Sequence, residues 1–508
     1  MRTFNLADLF ETVADACPDR TALVAAGGPA ARLTYAGLDA RANRAAHHLA
    51  AHGVGPGDHV GILAHNRAEW LETMIACFKL RAAPVNVNHR YVADELAHLL
   101  GDAGCVALVA EKDLLANVRR EALPELRHVL TIDGDYDYEE ALAASSPVRD
   151  FAPRSSDDPY LLYTGGTTGL PKGVLWRCED IFVAAMGGGN FGGTPITDPE
   201  ELAACAGRDP MRAQVHAPLM HGGGQWITWI TLTTGGTVVL WTGRRFDAAA
   251  ALRLAERERT QILMLVGNGM ARPVADELAT GAYPGLEVFA FGSGGAPLSS
   301  DVKEGLLKAV PNAYVSDNLG GSETGAMGAA EADGRFRLGA EFAVLGPDLV
   351  PVAPGREGVV ARTGHIPSAY WNDPAKSAAT FVTAPDGTRW ALQGDHARLE
   401  EDGTVTLLGR GSLVINTGGE KVFAEEVETV LRGHPSVDDA IVIGVPDERL
   451  GSRVAAVVTP RADEGELIAH CRGRLAGYKI PRVFRFAPEL KRTPVGKPDY
   501  AWARSIMD

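Results

Sequence analysis

Short apolar runs recur along the 508-residue sequence, the later ones ending in glycine-rich loops, and they limit what the chain can fold into. Stretches with apolar residues at helical spacing alternate with these runs, which Gly, Pro or Asn residues bound. Such alternation predicts an α/β protein whose ligands bind at glycine-rich strand ends. At about 150 residues per domain, the length predicts two to four folding units. The runs are HVGILA, APVNVN, CVALVAE, TQILMLVG, LEVFAFGSGG and NAYVSDNLGG.

The pattern changes towards the C-terminal end. From about Glu357 the strands are shorter and carry Asp-Gly turns (APDGTRW, EEDGTVTLLGR), which predicts antiparallel hairpins. The composition changes at residues 409–412. The segment beyond these residues has the order helix, strand, turn, strand, which is typical of a small α+β domain. We therefore predict one domain of residues 1–410 and a second of residues 411–508.

Charge and cysteine usage narrow the class of protein. The net charge of −15 repels a phosphate backbone, which argues against a nucleic-acid partner. The six cysteines are scattered singly with no CxxC pair, and the start MRTFNLADLF has no apolar run typical of a signal peptide, so a cytoplasmic protein is expected. The uncharged stretch from Ala213 to Gly243 carries Pro218 and several glycines, which favours a buried loop, helix and strand over a membrane span.

The strongest chemical signal is YTGGTTGLPKGV, residues 163–174, which completes the apolar run PYLLY. Glycines let backbone N–H groups approach an anion, threonine hydroxyls add donors and Lys172 adds a cation, so the segment predicts a phosphate cradle. It differs from a Walker loop because Pro171 precedes the lysine and no Ser or Thr follows it. A surface loop is the alternative. By itself the cradle indicates a nucleoside triphosphate and little more.

This segment resembles the phosphate-binding signature of the adenylate-forming superfamily, which includes acyl-CoA synthetases, luciferases and the adenylation domains of peptide synthetases. Further stretches resemble the family's motifs in the family's order, over nearly the whole chain. PKGVLWRCEDI and VNHRYVADEL look most like bacterial synthetases for fatty and steroid-side-chain acids. The ordered stretches are SGGAPLS (293–299), DNLGGSETG (317–325), QGDHARLEEDGTVTLLGR (393–410), TGGEKVFAEEVE (417–428) and TPVGKPDY (493–500).

The resemblance implies a fold and a reaction. The fold is α/β, with a large N-terminal domain of β-sheets and packed helices, a small β-barrel-like subdomain, and a small mobile C-terminal α+β domain. The reaction is the ATP-dependent activation of a carboxylic acid as acyl-AMP with release of pyrophosphate, followed by transfer to CoA. The partners are therefore ATP, CoA as acceptor, and a small-molecule acid, with Mg²⁺ as cofactor. The oligomeric state is open, and a dimer is compatible with the sequence.

The resemblance also assigns roles to residues. Lys497 is expected to bridge the substrate carboxylate and the α-phosphate, and Glu323 to hold Mg²⁺ together with Thr168. Asp395 offers two acceptor oxygens to the ribose hydroxyls, and Arg410 donates to ribose or phosphate oxygens. The other nucleotide contacts are expected at Thr164, Gly165, Gly166, Thr167, Gly169, Lys172, Gly295, Ala296, Asp317, Asn318, Leu319 and Ser322.

For thioester formation the family rotates its small domain, so the resemblance implies a hinge, which falls at Ser412. Gly418 and Gly419 would then line the pantetheine tunnel, and a simple β-turn is the alternative. His221 resembles a residue that gates the acyl pocket in relatives, with a core histidine as the alternative. The cations between Cys471 and Lys497 form a basic run that suits the phosphates of ATP or CoA, or a solvated face.

The acid is expected to be apolar. The stretches that build the acyl pocket in this family read AAMGGGNFGG, MHGGGQWITW and NLGGSE here, and none contains Lys or Arg. The glycines in these stretches have no side chains, which leaves space for a bulky acid. Two alternatives stay open: a different acceptor, such as a carrier-protein thiol or nitrite in the diazotisation of an aromatic amine, and a nucleotide-binding relative without activity.

Overall fold

The computed structural model describes residues 2–25, 31–134, 137–165, 170–207, 210–295, 298, 300–331, 335–410, 414–459, 462–491 and 499–507. The α-helices are α1 (Leu6–Ala16), α2 (Tyr35–Ala51), α3 (Ala68–Lys79), α4 (Ala93–Asp102), α5 (Tyr138–Ala143), α6 (Cys178–Ala185), α7 (Leu202–Ala206), α8 (Gly222–Thr233), α9 (Ala248–Arg257), α10 (Gly267–Leu278), α11 (Ser300–Ala309), α12 (Pro374–Thr380), α13 (Ala424–Arg432), α14 (Glu464–Arg472) and α15 (Tyr500–Ser505).

The strands are β1 (Thr21–Ala25), β2 (Arg32–Thr34), β3 (His59–Leu63), β4 (Ala83–Asn86), β5 (Cys105–Glu111), β6 (His128–Ile132), β7 (Pro159–Gly165), β8 (Pro171–Arg177), β9 (Arg212–Val215), β10 (Thr237–Leu240), β11 (Ile262–Leu265), β12 (Ala290–Gly294), β13 (Tyr314–Gly321), β14 (Gly325–Ala330), β15 (Phe336–Leu338), β16 (Phe342–Leu345), β17 (Glu357–Arg362), β18 (Ala369–Tyr370), β19 (Phe381–Thr383), β20 (Arg389–Leu399), β21 (Val405–Arg410), β22 (Val414–Thr417), β23 (Glu420–Phe423), β24 (Asp439–Asp447), β25 (Gly451–Thr459) and β26 (Val483–Phe486).

The strands form three sheets. The largest has the order β16-β17-β20-β21-β15-β14-β13-β12-β11-β9-β10-β1-β2, with β19 paired to β20; the second has the order β18-β8-β7-β4-β3-β5-β6. The third combines β22 to β26. The apolar runs of the sequence are strands in all six cases, and β9 to β13 are parallel, so their carboxyl ends meet at one edge.

The predicted hairpins are present in the antiparallel half of the largest sheet. Thr383 pairs with Arg389 across the first Asp-Gly turn, and Leu399 pairs with Val405 across the second. These antiparallel strands continue the parallel half through β13 and β14. The mixed sheet therefore brings the end of β13 and the segment around Asp395 into one continuous layer.

The uncharged stretch folds as strand β9, a loop, helix α8 and strand β10, as predicted. Helix α8 buries Trp229 and Leu232 in the core, and its threonine hydroxyls donate to carbonyls one turn earlier, such as Thr228 to Gly224 at 2.8 Å. Its other face is apolar as well, because that face lines a cavity described below. Among the described residues, no helix has both the length and the apolar composition needed to cross a membrane.

The segment after the predicted boundary has the expected order of α13, β24 and β25. Its sheet begins at Val414, and its own core includes Val427, Leu431, Val442 and Ala456. The division into residues 1–410 and 411–508 stays a prediction. The six cysteines are free thiols.

Candidate active site

The predicted phosphate segment is the hairpin of β7 and β8. Thr164 pairs with Lys172 and Gly165 with Pro171, so the hairpin closes between them. The ammonium Nζ of Lys172 lies 2.7 Å from Oδ2 of Asp373, and this hydrogen bond holds the pKa of Asp373 below its usual value. The phosphate-binding roles of Thr164 and Lys172 stay predictions. The predicted contacts Gly166, Thr167, Thr168 and Gly169 lie outside the described residues.

The predicted magnesium ligand lies beside this hairpin. Glu323 stands in the loop between β13 and β14, and the Tyr370 hydroxyl donates to its Oε1 at 2.8 Å. Tyr370 pairs with Val174 of β8. The indole Nε1 of Trp176, also in β8, donates to the Ser322 carbonyl at 2.9 Å. Two aromatic residues therefore fix Ser322 and Glu323 against the hairpin. Neither contact is predicted by the sequence, since no local pattern indicates that a Tyr or a Trp in a strand bonds to a distant loop.

The predicted adenine contacts lie at the ends of two neighbouring parallel strands. Asp317 of β13 pairs with Ser293 of β12, and the Asn318 side-chain amide donates to the Ser293 carbonyl at 2.9 Å. Burial raises the pKa of Asp317, although Lys303 lies 3.7 Å away and opposes the shift. Asn318 lines the cavity that is described below, together with the predicted residues Gly295, which has a φ of +80°, Leu319 and Ser322. Ala296 lies outside the described residues.

The predicted ribose residues face each other across an antiparallel pair. Asp395 of β20 pairs with Arg410 of β21, and Asp395 is only 8% exposed. Gly394 precedes Asp395 with a φ of +88°, a left-handed conformation that favours glycine. Their contacts with ribose or phosphate stay predictions. Lys497 and Ser412 lie outside the described residues.

Gly418 and Gly419 form the two-residue turn between β22 and β23. Thr417 pairs with Glu420, and the two glycines have φ values of +58° and +86°, the combination of a type I′ hairpin turn. A β-carbon on Gly419 would lie 2.5 Å from Cγ1 of Val266, just before α10. The turn is thus packed against the N-terminal part of the chain, at the cavity wall.

Glu420, directly after this turn, joins the C-terminal part to the N-terminal part. Its Oε1 accepts from Arg90 Nη1 at 2.6 Å and lies 3.3 Å from His221 Nε2. Burial opposes ionisation of this carboxyl, but His221, Arg90 and His89 outweigh burial and lower its pKa to about 2. Glu420 is therefore an ionised carboxylate at neutral pH. His221 caps the start of α8 without a side-chain cap bond, and its gating role stays a prediction.

Lys479 makes a second connection between the two parts. Its side chain is 2% exposed, and its Nζ lies 2.6 Å from Glu95 of α4 and 2.7 Å from Glu426 of α13. Burial lowers the pKa of Lys479, but the two carboxylates outweigh burial and hold it above its usual value. Burial also raises the pKa of Glu426 to about 7. One cation of the predicted basic run is thus buried and paired with two carboxylates instead of lying on a solvated face.

A cavity of about 870 Å³ extends from these groups into the largest sheet. Its walls include Thr164 of the hairpin, the end of β13 and the turn at Gly419. One face of α8 lines it from Gly222 to the cap residue Thr234, and twelve residues at 1.5 Å each make this wall about 18 Å long. Among the described lining residues, the lysines and arginines are Lys421 and Lys479, both from the C-terminal part.

The far end of the cavity lies at the amino ends of the parallel strands and is open. Four apolar lining residues there are exposed on the surface, and the two most exposed are Phe191 at 70% and Tyr314 at 63%. Met211 and Phe289 complete this rim, just before β9 and β12. Exposed apolar residues that cluster around an opening mark a ligand site more often than an inert surface.

Comparison with known families identifies the family to which the chain belongs. Residues 10–371 match the family model described as AMP-binding enzyme, and residues 426–497 match the model described as AMP-binding enzyme C-terminal domain. The chain belongs to the AMP-binding enzyme family. The predicted resemblance is confirmed.

Relatives of known activity cover nearly the whole chain. It is 43% identical to a 3-oxocholest-4-en-26-oate–CoA ligase of Rhodococcus rhodochrous, over 98% of this chain and 95% of that protein. It is 45% identical to a medium/long-chain-fatty-acid–CoA/3-oxocholest-4-en-26-oate–CoA ligase of Mycobacterium tuberculosis, over the same shares. The prediction of an AMP-forming acid–thiol ligase is confirmed.

The solved structures agree on the fold. A double mutant of o-succinylbenzoate CoA synthetase from Bacillus subtilis, bound with its product analogue, superposes with a TM-score of 0.82 at 26% identity. The match covers 98% of each chain. The predicted fold class, a large N-terminal α/β part and a small C-terminal α+β part, is confirmed.

The hydrogen bond from Tyr370 to Glu323 generates the first prediction. Glu323→Gln is expected to slow pyrophosphate release by about 100-fold or more, since an oxygen ligand of a hard cation is lost. Tyr370→Phe removes one hydrogen bond worth about 1 kcal/mol, so the Mg²⁺ concentration for half-maximal rate should rise roughly fivefold. Tyr283→Phe is the matched control, because it removes a Tyr–Glu hydrogen bond of 2.7 Å to Glu277 elsewhere. An unchanged Mg²⁺ dependence in Glu323→Gln would remove this residue from the metal site.

The turn at Gly419 generates the second prediction. Gly419→Ala is expected to slow thioester formation roughly tenfold or more and to spare pyrophosphate release, because the new methyl group meets Val266 at the CoA side. The two half-reactions are measured separately, by pyrophosphate release and by acyl-CoA formed from preformed adenylate. Gly364→Ala is the control, since Gly364 has a φ of +74° with open space around it and so carries the backbone strain without the contact. Equal loss in both half-reactions would contradict the assignment of this turn.

Proposed function

We propose that this member of the family activates a bulky apolar carboxylic acid with ATP and transfers the acyl group to CoA. One observation carries the proposal: a single cavity joins the strand ends that bear the nucleotide motifs to an apolar opening on the far side. The turn of Gly418 and Gly419 lies on this cavity at the end where the acyl carbonyl would be.

The shape of the cavity supports a long or fused-ring acid. Its wall along α8 is about 18 Å long, and its side chains there are mostly apolar, such as Trp226, Ile227 and Ile230. The exposed rim of Phe191 and Tyr314 lets a substrate longer than the cavity reach the surface. The named relatives act on medium- and long-chain fatty acids and on 3-oxocholest-4-en-26-oate. We assign this substrate class to the chain.

The first half-reaction follows from the groups around the hairpin. A carboxylate oxygen of the acid attacks the α-phosphorus of ATP, and the bond to pyrophosphate breaks. Residues 164–172 would bind the outgoing phosphates, and Asp395 would accept hydrogen bonds from the ribose hydroxyls. The oxygen donor of Glu323, fixed by Tyr370, fits a hard cation, and Mg²⁺ bound there would neutralise phosphate charge. We assign the bridging cation between carboxylate and α-phosphate to Lys497.

The second half-reaction uses the CoA-side turn. The thiol sulfur of CoA attacks the acyl carbonyl carbon, the bond to the AMP phosphate breaks, and the thiol proton is released. Glycines at 418 and 419 leave space for a narrow chain, and Glu420 ties this turn to Arg90 and His221. The curated relatives are CoA ligases, which does not favour the carrier-protein or nitrite acceptor. Because the reaction consumes ATP and CoA, we assign it to the cytoplasm.

A product assay tests the proposed function. Purified protein with ATP, Mg²⁺ and CoA is expected to convert long-chain fatty acids and 3-oxocholest-4-en-26-oate to acyl-CoA and AMP, read by mass spectrometry. Acetate and a dicarboxylate serve as controls, and both should react at least about 100-fold more slowly, because the described cavity lining offers them little contact and no dedicated second cation. AMP formation without an acyl-CoA product would contradict CoA as the acceptor and would indicate that the acyl group goes to another acceptor. Preference for a small or dianionic acid would overturn the substrate class.

The wall of α8 generates a prediction on chain length. Ile230→Trp is expected to lower kcat/KM for hexadecanoate and for the steroid acid by about 10-fold or more, because the indole blocks the outer half of the cavity. Hexanoate should change by less than about twofold, since it ends before this residue. Leu307→Trp is the control: Leu307 is an exposed apolar residue, 39% accessible, on α11 and outside the cavity lining. An equal loss of kcat/KM for short and long acids would show that α8 does not line the part of the cavity that holds the end of the acyl chain.

A further inference from the structure

Three histidines meet at the end of α2 and the start of β6, away from the active site. His48 and His52 stand four residues apart, on one face of the last turn of α2, and His128 is the first residue of β6. Nε2 of His48 lies 3.1 Å from Nε2 of His128, and the rings of His52 and His128 stack with centroids 3.9 Å apart. One ring nitrogen from each residue lies within 4.8 Å of the other two.

This spacing is close to that of a metal site. Helical histidines four residues apart chelate one ion from a single face, as in zinc-binding helices. Zinc–nitrogen bonds of about 2.0–2.1 Å in a tetrahedron place ligand nitrogens about 3.3 Å apart. The pair His48 and His128 already has this separation. All three ligand nitrogens lie within 4.8 Å of one another, so a shift of about 1.5 Å or less brings them to this separation.

The second ring nitrogen of His52 is held by the backbone. Its Nδ1 lies 2.8 Å from the His48 carbonyl oxygen, and since a carbonyl only accepts, Nδ1 must carry the proton. Nε2 is then the nitrogen with the lone pair. A histidine that donates through one nitrogen to a carbonyl and ligates through the other is the usual arrangement in metal sites.

We propose that His48, His52 and His128 bind one divalent transition-metal ion of the Zn²⁺ class. Three imidazoles suit Zn²⁺, Ni²⁺ or Cu²⁺ and do not suit Mg²⁺ or Ca²⁺, which prefer oxygen. β6 is four strands from β7 in its sheet, about 19 Å at 4.8 Å per strand, so the ion takes no part in the reaction. It joins α2 to the edge strand and stabilises the folded state by mass action.

Metal titration of the full chain tests this site. Protein freed of metal by chelator dialysis is titrated with ZnCl₂ in excess MgCl₂, which saturates carboxylate sites such as the one at Glu323. One Zn²⁺ per chain is expected to bind, with an increase in Tm at saturation. His52→Gln and His128→Gln are each expected to weaken binding at least tenfold and to abolish the Tm increase. His47→Gln, one residue away on the same helix, should keep both.

Cu²⁺ as a spectroscopic probe separates this site from any adventitious one. The electron paramagnetic resonance spectrum of the Cu²⁺-loaded chain should show superhyperfine splitting from imidazole nitrogens, lost in the double variant His52→Gln/His128→Gln. His52 is on the surface, so its single variant is expected to fold and to keep ligase activity. Zn²⁺ binding with unchanged affinity in the double variant would overturn the proposal. Binding weaker than millimolar, or Cu²⁺ without nitrogen splitting, would overturn it as well.

Discussion

Two buried charges in the C-terminal part determine how the active site is assembled. Glu420 meets Arg90 and His221, and Lys479 meets Glu95 across the same junction. Removing one partner of a buried ion pair such as that of Lys479 and Glu95 costs about 3–5 kcal/mol, because the other charge is left without compensation. Such pairs contribute little net stability, but they favour the orientation of the two parts in which both connections form. In this orientation Gly419 of the turn lines the cavity.

The site itself is built from strands that are distant in sequence. β8 supplies Trp176, and its neighbour β18 supplies Tyr370; both hydrogen-bond to the loop after β13. The hairpin of one sheet and the strand ends of another are thereby fixed in one place. The carboxylate of Glu323 faces the hairpin because of this connection, and the cavity continues from there between α8 and the parallel strands. The strand ends that bear the nucleotide motifs and the helix that His221 begins therefore line one cavity.

Much of this architecture was predictable from local sequence. The six apolar runs are strands, the Asp-Gly turns close hairpins, and the uncharged stretch is a strand, loop, helix and strand. These features follow from periodicity and turn chemistry over a few residues, which is why they were found. Tyr370, Trp176 and Lys479 were not recognised as positioning residues. Their partners lie 47, 146 and 384 residues away, and no local pattern indicates such a contact.

The sequence by itself determined the family and the reaction and predicts the groups that carry it, because motifs such as YTGGTTGLPKGV and DNLGGSETG encode backbone and side-chain chemistry locally. Tertiary structure alone decided which groups meet. Lys172 pairs with Asp373, the glycine turn packs on Val266, the cavity opens through Phe191 and Tyr314, and His128 joins two histidines of α2. The physical reason is that side-chain contacts between distant segments depend on sheet order and packing, which local periodicity does not contain.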